Sequence, residues 1–192
     1  MYRADESLNW ILLEFLSLDN FWIQATAHNG CVLIGIVGFS YPTSEGVWTF
    51  PSIGNFEKKI AKTFSSKYVV SSNSGSSSLH LACLAIGIKK GDIVWTVPIT
   101  YAASANCALN CGAKIDFVDI CDQTFNISII DLKKKLKIAK KKNNLPKAII
   151  PVHLGGQPYE QKEVWKLSKK YNFKIIEDAS HAIGAKHYGE SV

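Results

Sequence analysis

The chain has 192 residues, 47% hydrophobic and 20% charged, which is enough apolar side chain for one domain with a core and too much for a disordered chain. Its formal charge of +6 is local, because seven lysines lie between Lys133 and Lys142 and without them +6 becomes −1. No aromatic residues interleave with that run, the apolar stretch Cys31 to Phe39 is far short of the roughly 20 residues of a membrane span, and Met1-Tyr2-Arg3-Ala4-Asp5-Glu6 lacks a secretory n-region, so neither nucleic acid nor membrane is an expected partner.

Residues 1–47 hold Trp10 and Trp22 among aliphatic residues without a sustained period, and Gly30, Gly35, Gly38 and Pro42 interrupt their one strongly apolar stretch. They are an unassigned leader to a domain over residues 48–192. Ile53, Phe56, Ile60 and Phe64 then recur at helical spacing around Glu57-Lys58-Lys59, which predicts an amphipathic helix packed on a sheet.

Short β-branched runs follow, alternating with helix-length segments, at Lys67 to Ser71, Ile93 to Val97, Ile115 to Asp119, Ala148 to Val152 and Phe173 to Glu177. This is the pattern of βα units, so the expected class is α/β with a mostly parallel sheet flanked by helices. Ser128-Ile129-Ile130-Asp131 resembles a capping box opening the lysine-rich helix, with Leu132, Leu136 and Ala139 on its buried side, and Asn143-Asn144-Leu145-Pro146 closes it. Cys31, Cys83, Cys107, Cys111 and Cys121 form no Cys-x-x-Cys pair and meet no histidine at zinc-finger spacing. Reduced thiols in a cytoplasmic protein, and no metal site, are expected.

In open α/β sheets ligands bind beyond the carboxyl ends of the strands, and polar residues gather at those ends here. After the first strand, Ser71 to Ser78 with Gly75 leads directly into a helical segment, where free N–H groups and hydroxyls suit a phosphate; a flexible serine-rich loop is the alternative. After the second, Pro98-Ile99-Thr100-Tyr101 sets an aromatic ring on a turn, to cover a planar ligand or simply to cap the core. After the fourth, His153 precedes the glycine turn Gly155-Gly156 and at most lines the site. After the fifth, Asp178 and His181 follow the apolar Phe173 to Ile176; Asp178 suits a pyridine nitrogen, a magnesium ion or the N-cap of a short helix over Ala179 to Ile183. A phosphate cradle, a flat aromatic ring and an acid at three strand ends are together the parts that hold pyridoxal 5′-phosphate.

Read in order, Phe56-Glu57-Lys58-Lys59, Asn73-Ser74-Gly75-Ser76, Gly91-Asp92-Ile93-Val94, Gly112-Ala113-Lys114 through Asp119, Pro151 to Pro158, and Ile176-Glu177-Asp178-Ala179-Ser180-His181 resemble the DegT/DnrJ/EryC1/StrS family of sugar aminotransferases. The resemblance runs from about Trp48 to Gly189 and implies a fold-type-I large domain with pyridoxal 5′-phosphate as cofactor. It further implies that Ser74, Gly75 and Ser76 form the phosphate turn, that Tyr101 stacks on the ring, that Asp178 pairs with the pyridine nitrogen, and that His181 stands beside the phenolic oxygen. Trp95 to Thr100 and Ala103 to Leu109 look most like the branch that aminates C4 of a UDP-linked 4-keto sugar in pseudaminic acid biosynthesis.

The activity so implied moves an amino group from glutamate to a nucleotide-linked keto sugar for surface glycans, in a cytoplasmic homodimer. Two departures accompany the resemblance. The family's Schiff-base lysine lies well beyond the Glu-Asp-Ala-Ser-His segment, so it is expected to fall after Val192, and no catalytic residue is assigned; Lys186 is not given that role. Trp48-Thr49-Phe50-Pro51-Ser52 replaces the family's Thr-x-Gly-Pro-like turn. A truncated enzyme is therefore the expectation, with an inactive fragment or binding module that keeps the crevice as its alternative.

Overall fold

The structure, a computed structural model, describes residues 22–28, 31–37, 51–64 and 66–191. The expected domain start at Trp48 lies outside them. The elements, in chain order, are β1 (Trp22–His28), β2 (Cys31–Val37), α1 (Pro51–Thr63), β3 (Tyr68–Ser72), α2 (Gly75–Ala85), β4 (Ile93–Thr96), α3 (Ala103–Leu109) and β5 (Lys114–Phe117). They continue with α4 (Ile129–Lys141), β6 (Ala148–Ile149), a 3-10 turn (Leu154–Gly156), α5 (Gln161–Tyr171), β7 (Lys174–Ile175), β8 (Glu177–Asp178), β9 (Lys186–His187) and β10 (Glu190–Ser191).

β5, β4, β6 and β7 form a parallel sheet in that order, and β3, β2, β1 and β8 form a second, mixed one. The two are joined through the continuous segment Lys174 to Asp178: Ile176 N–H bonds to the carbonyl of Ile149, and Asp178 N–H to that of Pro151. β1 is antiparallel to both β8 and β2, whereas β2 is parallel to β3. It follows that β3 runs in the same direction as β8, so that their carboxyl ends share one edge. Residues 22–28 and 31–37, which the sequence left without a role, supply the antiparallel pair β1–β2 between them.

Alternation along the strands sorts the core onto two faces. Trp95, Ile149, Phe173 and Ile175 pack with α4 and α5, on which Leu132, Leu136, Val164 and Leu167 are buried. Val94, Ala148, Ile150 and Ile176 pack on the opposite side with Leu79, Ala82, Cys83, Ala103, Cys107 and Ala108 of α2 and α3. The capping box takes the expected form: Ser128 Oγ accepts from the N–H of Asp131 at 3.2 Å and donates to its carboxylate at 2.7 Å. The lysines of α4 spread over solvent, where Lys133 and Lys135 reach Glu163 and Asp116. Cys83 and Cys107 are buried free thiols with their sulfurs 3.7 Å apart, and Cys111 and Cys121 are free as well.

Two local expectations are corrected. The fifth strand is interrupted at Ile176 and extends to Asp178. No helix forms over Ala179 to Ile183; two turns stand there, closed by Ala182 N–H to Ala179 and Ala185 N–H to Ala182, because Gly184, at φ +80°, turns the chain away before a helical ladder can build.

Candidate functional site

β8 presents Glu177 and Asp178 to opposite faces, each almost fully buried. A carboxylate 2% exposed needs donors to offset its lost hydration, and both oxygens of Asp178 have them. Ser104, at the start of α3, donates to Oδ2 at 2.6 Å. Ser180 donates its hydroxyl and, at 3.3 Å, its backbone N–H to Oδ1. The N-cap role foreseen for Asp178 thus survives in a turn rather than a helix.

Ser104 is also what joins Asp178 to the β4–α3 turn. Its N–H bonds to the carbonyl of Tyr101 at 3.0 Å, and its hydroxyl lies 2.8 Å from that of Thr100. Tyr101 itself is 74% exposed, a large aromatic ring standing off the surface at the carboxyl end of β4. That exposure disposes of the reading in which it caps the core.

The serine turn lies on the same face and edge. From Asp178, paired with Thr26, the row passes to Leu33 and then Val70 of β3, three strand steps of about 4.8 Å or roughly 14 Å. Ser72 ends β3 two residues further on, and α2 starts at Gly75 and returns over β1 and β2 to pack on α3. Ser74 caps α2, its hydroxyl accepting from the N–H of Ser77 at 3.1 Å, while Ser72 donates to the carbonyl of Ser74 at 2.8 Å. The N–H groups of Gly75 and Ser76 have no acceptor among the described residues, so they stand open to an anion. Glu57 of α1 fixes the strand below, accepting from both the N–H and the hydroxyl of Ser71 at 2.8 Å.

His181 is exposed on the turn after Asp178, and its Nδ1 accepts from the N–H of Gly155 at 3.2 Å, leaving Nε2 to carry the proton of the neutral ring. Gly156 makes that turn possible: at φ +82° a Cβ would lie 2.9 Å from the carbonyl oxygen of His181. Gly156→Ala should therefore destabilise the chain by at least about 1–2 kcal/mol, read by denaturant unfolding, whereas Gly155→Ala meets no neighbouring atom and should cost only its positive φ.

His153, which at most was to line the site, is structural. It is fully buried, 3.4 Å from Glu177 across Nε2 and Oε2, with its ring 4.6 Å from that of Tyr159. Glu177 also accepts from Tyr159 Oη at 2.8 Å and from Gln161 Nε2 and Trp165 Nε1 at 3.4 Å. Burial alone would raise its carboxyl, but His153, Tyr159 and Trp165 together hold it below the ordinary carboxylate value. Burial first, and the Glu177 charge second, push the Tyr159 hydroxyl well above its usual value, so it stays a donor.

Thr100, Ser104 and Ser180 went unread in the sequence. The usable signal was Thr100 and Ser104 four residues apart at a helix start, which puts two hydroxyls on one side. Among the described residues no group of three or more His, Cys, Asp or Glu side chains is placed to hold a metal ion.

Over 141 residues the chain is 43% identical to a UDP-4-amino-4,6-dideoxy-N-acetyl-beta-L-altrosamine transaminase of Campylobacter jejuni, a match covering 73% of this chain and 36% of that protein. An aminotransferase structure from Psychrobacter cryohalolentis superposes with a TM-score of 0.68 at 33% identity, over 76% of this chain and 35% of that one. Bacillus subtilis NtdA, solved with bound cofactor PMP, gives 0.66 at 28%, over 73% and 31%. The chain thus spans little more than a third of the length of the curated relatives it matches. The DegT/DnrJ/EryC1/StrS aminotransferase family matches over residues 43–192, most of the chain, and the chain belongs to that family.

Proposed function

We propose that residues 48–192 are the cofactor-holding part of the large domain of a pyridoxal 5′-phosphate-dependent sugar aminotransferase, one that moves an amino group from glutamate to a nucleotide-linked keto sugar. The observation that carries this reading is Asp178: a buried carboxylate, bonded by two serine side chains, at the strand edge that also carries Tyr101 and the open N–H groups of Gly75 and Ser76. Such a set fits a flat, cationic ring with a phosphate at one end. An ionised carboxylate keeps lone pairs beyond those its serines occupy, so it can still accept from a ring N–H.

When bound, the cofactor supplies the electron sink that amino transfer requires. The chain's own residues bind and orient. Gly75 and Ser76 hold the phosphate by backbone N–H at the start of α2, with Ser74 setting the turn. Tyr101 covers one face of the ring, Asp178 keeps a proton on its nitrogen, and His181 offers its Nε2–H beside the phenolic oxygen. The likeness to the altrosamine transaminase favours a UDP-linked sugar aminated at C4. A cytoplasmic homodimer belongs to the same reading; exposed Leu81 and Leu84 on α2 leave apolar surface for a second copy, and no helix among the described residues is long and apolar enough to cross a membrane.

Titration of the chain with pyridoxal 5′-phosphate, followed by the cofactor's absorbance and induced circular dichroism, should show saturable one-to-one binding that inorganic phosphate competes away. Linear, non-saturating spectra that phosphate leaves unchanged would overturn the proposal.

A further inference from the structure

The contacts of Asp178 single out one residue, Ser104, to which the resemblance assigns no part. Ser104 is buried, and its hydroxyl has two partners: Asp178 Oδ2 at 2.6 Å and Thr100 Oγ1 at 2.8 Å. An ionised carboxylate only accepts, so Ser104 must spend its single proton on Asp178. The hydroxyl of Thr100 must then donate to Ser104. The direction of the chain, Thr100 to Ser104 to Asp178, is fixed by proton count alone.

The chain has a mechanical consequence. Thr100 adjoins Tyr101, and Ser104 N–H holds the carbonyl of Tyr101, so the turn that carries the aromatic ring and the carboxylate below it are tied through one side chain. The remaining charged or titratable groups nearby leave that tie alone: Glu177 points to the opposite face, His181 Nδ1 faces Gly155, and Cys107, one turn along α3, reaches the carbonyl of Ser104 and not its hydroxyl.

We propose that Ser104, oriented by Thr100, is a positioning residue that holds the Asp178 carboxylate in place and in register with the Tyr101 turn, and that it thereby tunes how firmly a bound pyridine ring keeps its proton. This rests on the reading of Asp178 as the partner of the ring nitrogen. Ser104 itself touches no substrate atom; it acts through Asp178. A merely structural serine would instead affect every ligand of the chain alike.

The test uses pyridoxine 5′-phosphate, which carries the ring and the phosphate but no aldehyde, with inorganic phosphate as the ligand of the serine turn alone. The full chain and its Ser104→Ala, Ser104→Thr and Thr100→Val variants are titrated with both at one pH, and the ultraviolet band of bound pyridoxine 5′-phosphate reports the protonated fraction of its ring. Ser104→Ala should weaken pyridoxine 5′-phosphate about tenfold, the effect of one hydrogen bond to a charged group, and shift the band toward the neutral ring. Phosphate binding should stay unchanged. Ser104→Thr, which restores the hydroxyl, should recover both signals, and Thr100→Val, a near-isosteric change at a half-buried position, should fall between, at about threefold.

An unshifted band in both Ser104→Ala and Thr100→Val would overturn the role of Ser104 while leaving the proposed function standing. So would equal losses for the two ligands. A wild-type chain that binds phosphate but not pyridoxine 5′-phosphate would overturn both proposals.

Discussion

Asp178→Ala is expected to weaken binding of pyridoxal 5′-phosphate by roughly a hundredfold, about 3 kcal/mol, while inorganic phosphate binds as before. The size follows from the setting. Asp178 is 2% exposed, so an ion pair with a protonated ring there is poorly screened, and hydrogen bonds to charged groups in such places exceed those at a surface. The serine turn, three strands away, would hold an anion through backbone N–H groups that the substitution does not touch. Asp178→Asn separates charge from shape, since it keeps a side chain that Ser104 and Ser180 can bond; it should show most of the same loss. A double-mutant cycle with Ser104→Ala gives the coupling: with Asp178 already gone, removing the Ser104 hydroxyl should change affinity by less than about twofold. Equal effects in both backgrounds would mean that the 2.6 Å contact does nothing for binding.

Glu177→Ala is expected to have the largest effect on stability, a loss of about 3–5 kcal/mol in denaturant unfolding, because it leaves His153 and Tyr159 buried without their acceptor. Glu177→Gln keeps the shape and one acceptor and should lose less. The same carboxylate sets an acid limb. Its folded value lies below the ordinary 4.5, so the unfolded chain binds the proton more readily. The stability it contributes is therefore fully present above about pH 4.5 and is lost as pH falls from there through the folded value. Unfolding free energies measured from pH 7 down to pH 3.5 should show this fall in the wild type and a flatter limb in Glu177→Gln. An identical slope in the two proteins would show that the cluster around Glu177 does not hold its charge.

Much of this was legible in one dimension. Period and punctuation located α1, α4 and its capping box, and the starts of all five strands to within a residue, because amphipathic spacing and caps are local properties that tertiary packing here reinforces. The polar strand ends were legible for the same reason: a run such as Ser71 to Ser78 between two apolar segments must surface at an edge. The partner of His153 was not legible because its neighbours, Gly155 and Gly156, mark a loop, and a loop residue that turns inward to meet Glu177 from another strand leaves no local signature. The helix expected after Asp178 does not form because Gly184 turns the chain away, and Ser180 and Gly155 bond Asp178 and His181 within the resulting turns.

By itself, then, the sequence determined the βα alternation, the lysine face of α4, the order of the strand-end motifs and the family to which they point. The tertiary structure decided which residues meet. Serine 104 becomes a partner of Asp178 only because α3 crosses the face of the sheet on which β8 presents that acid, 74 positions later in the chain. The pair β1–β2 sits between β8 and β3 only because strand pairing satisfies backbone groups without regard to side-chain period. Glu177 and Asp178, adjacent in the chain, take opposite faces and different tasks because a strand alternates its side chains, and the surroundings of each face are assembled from helices remote in sequence.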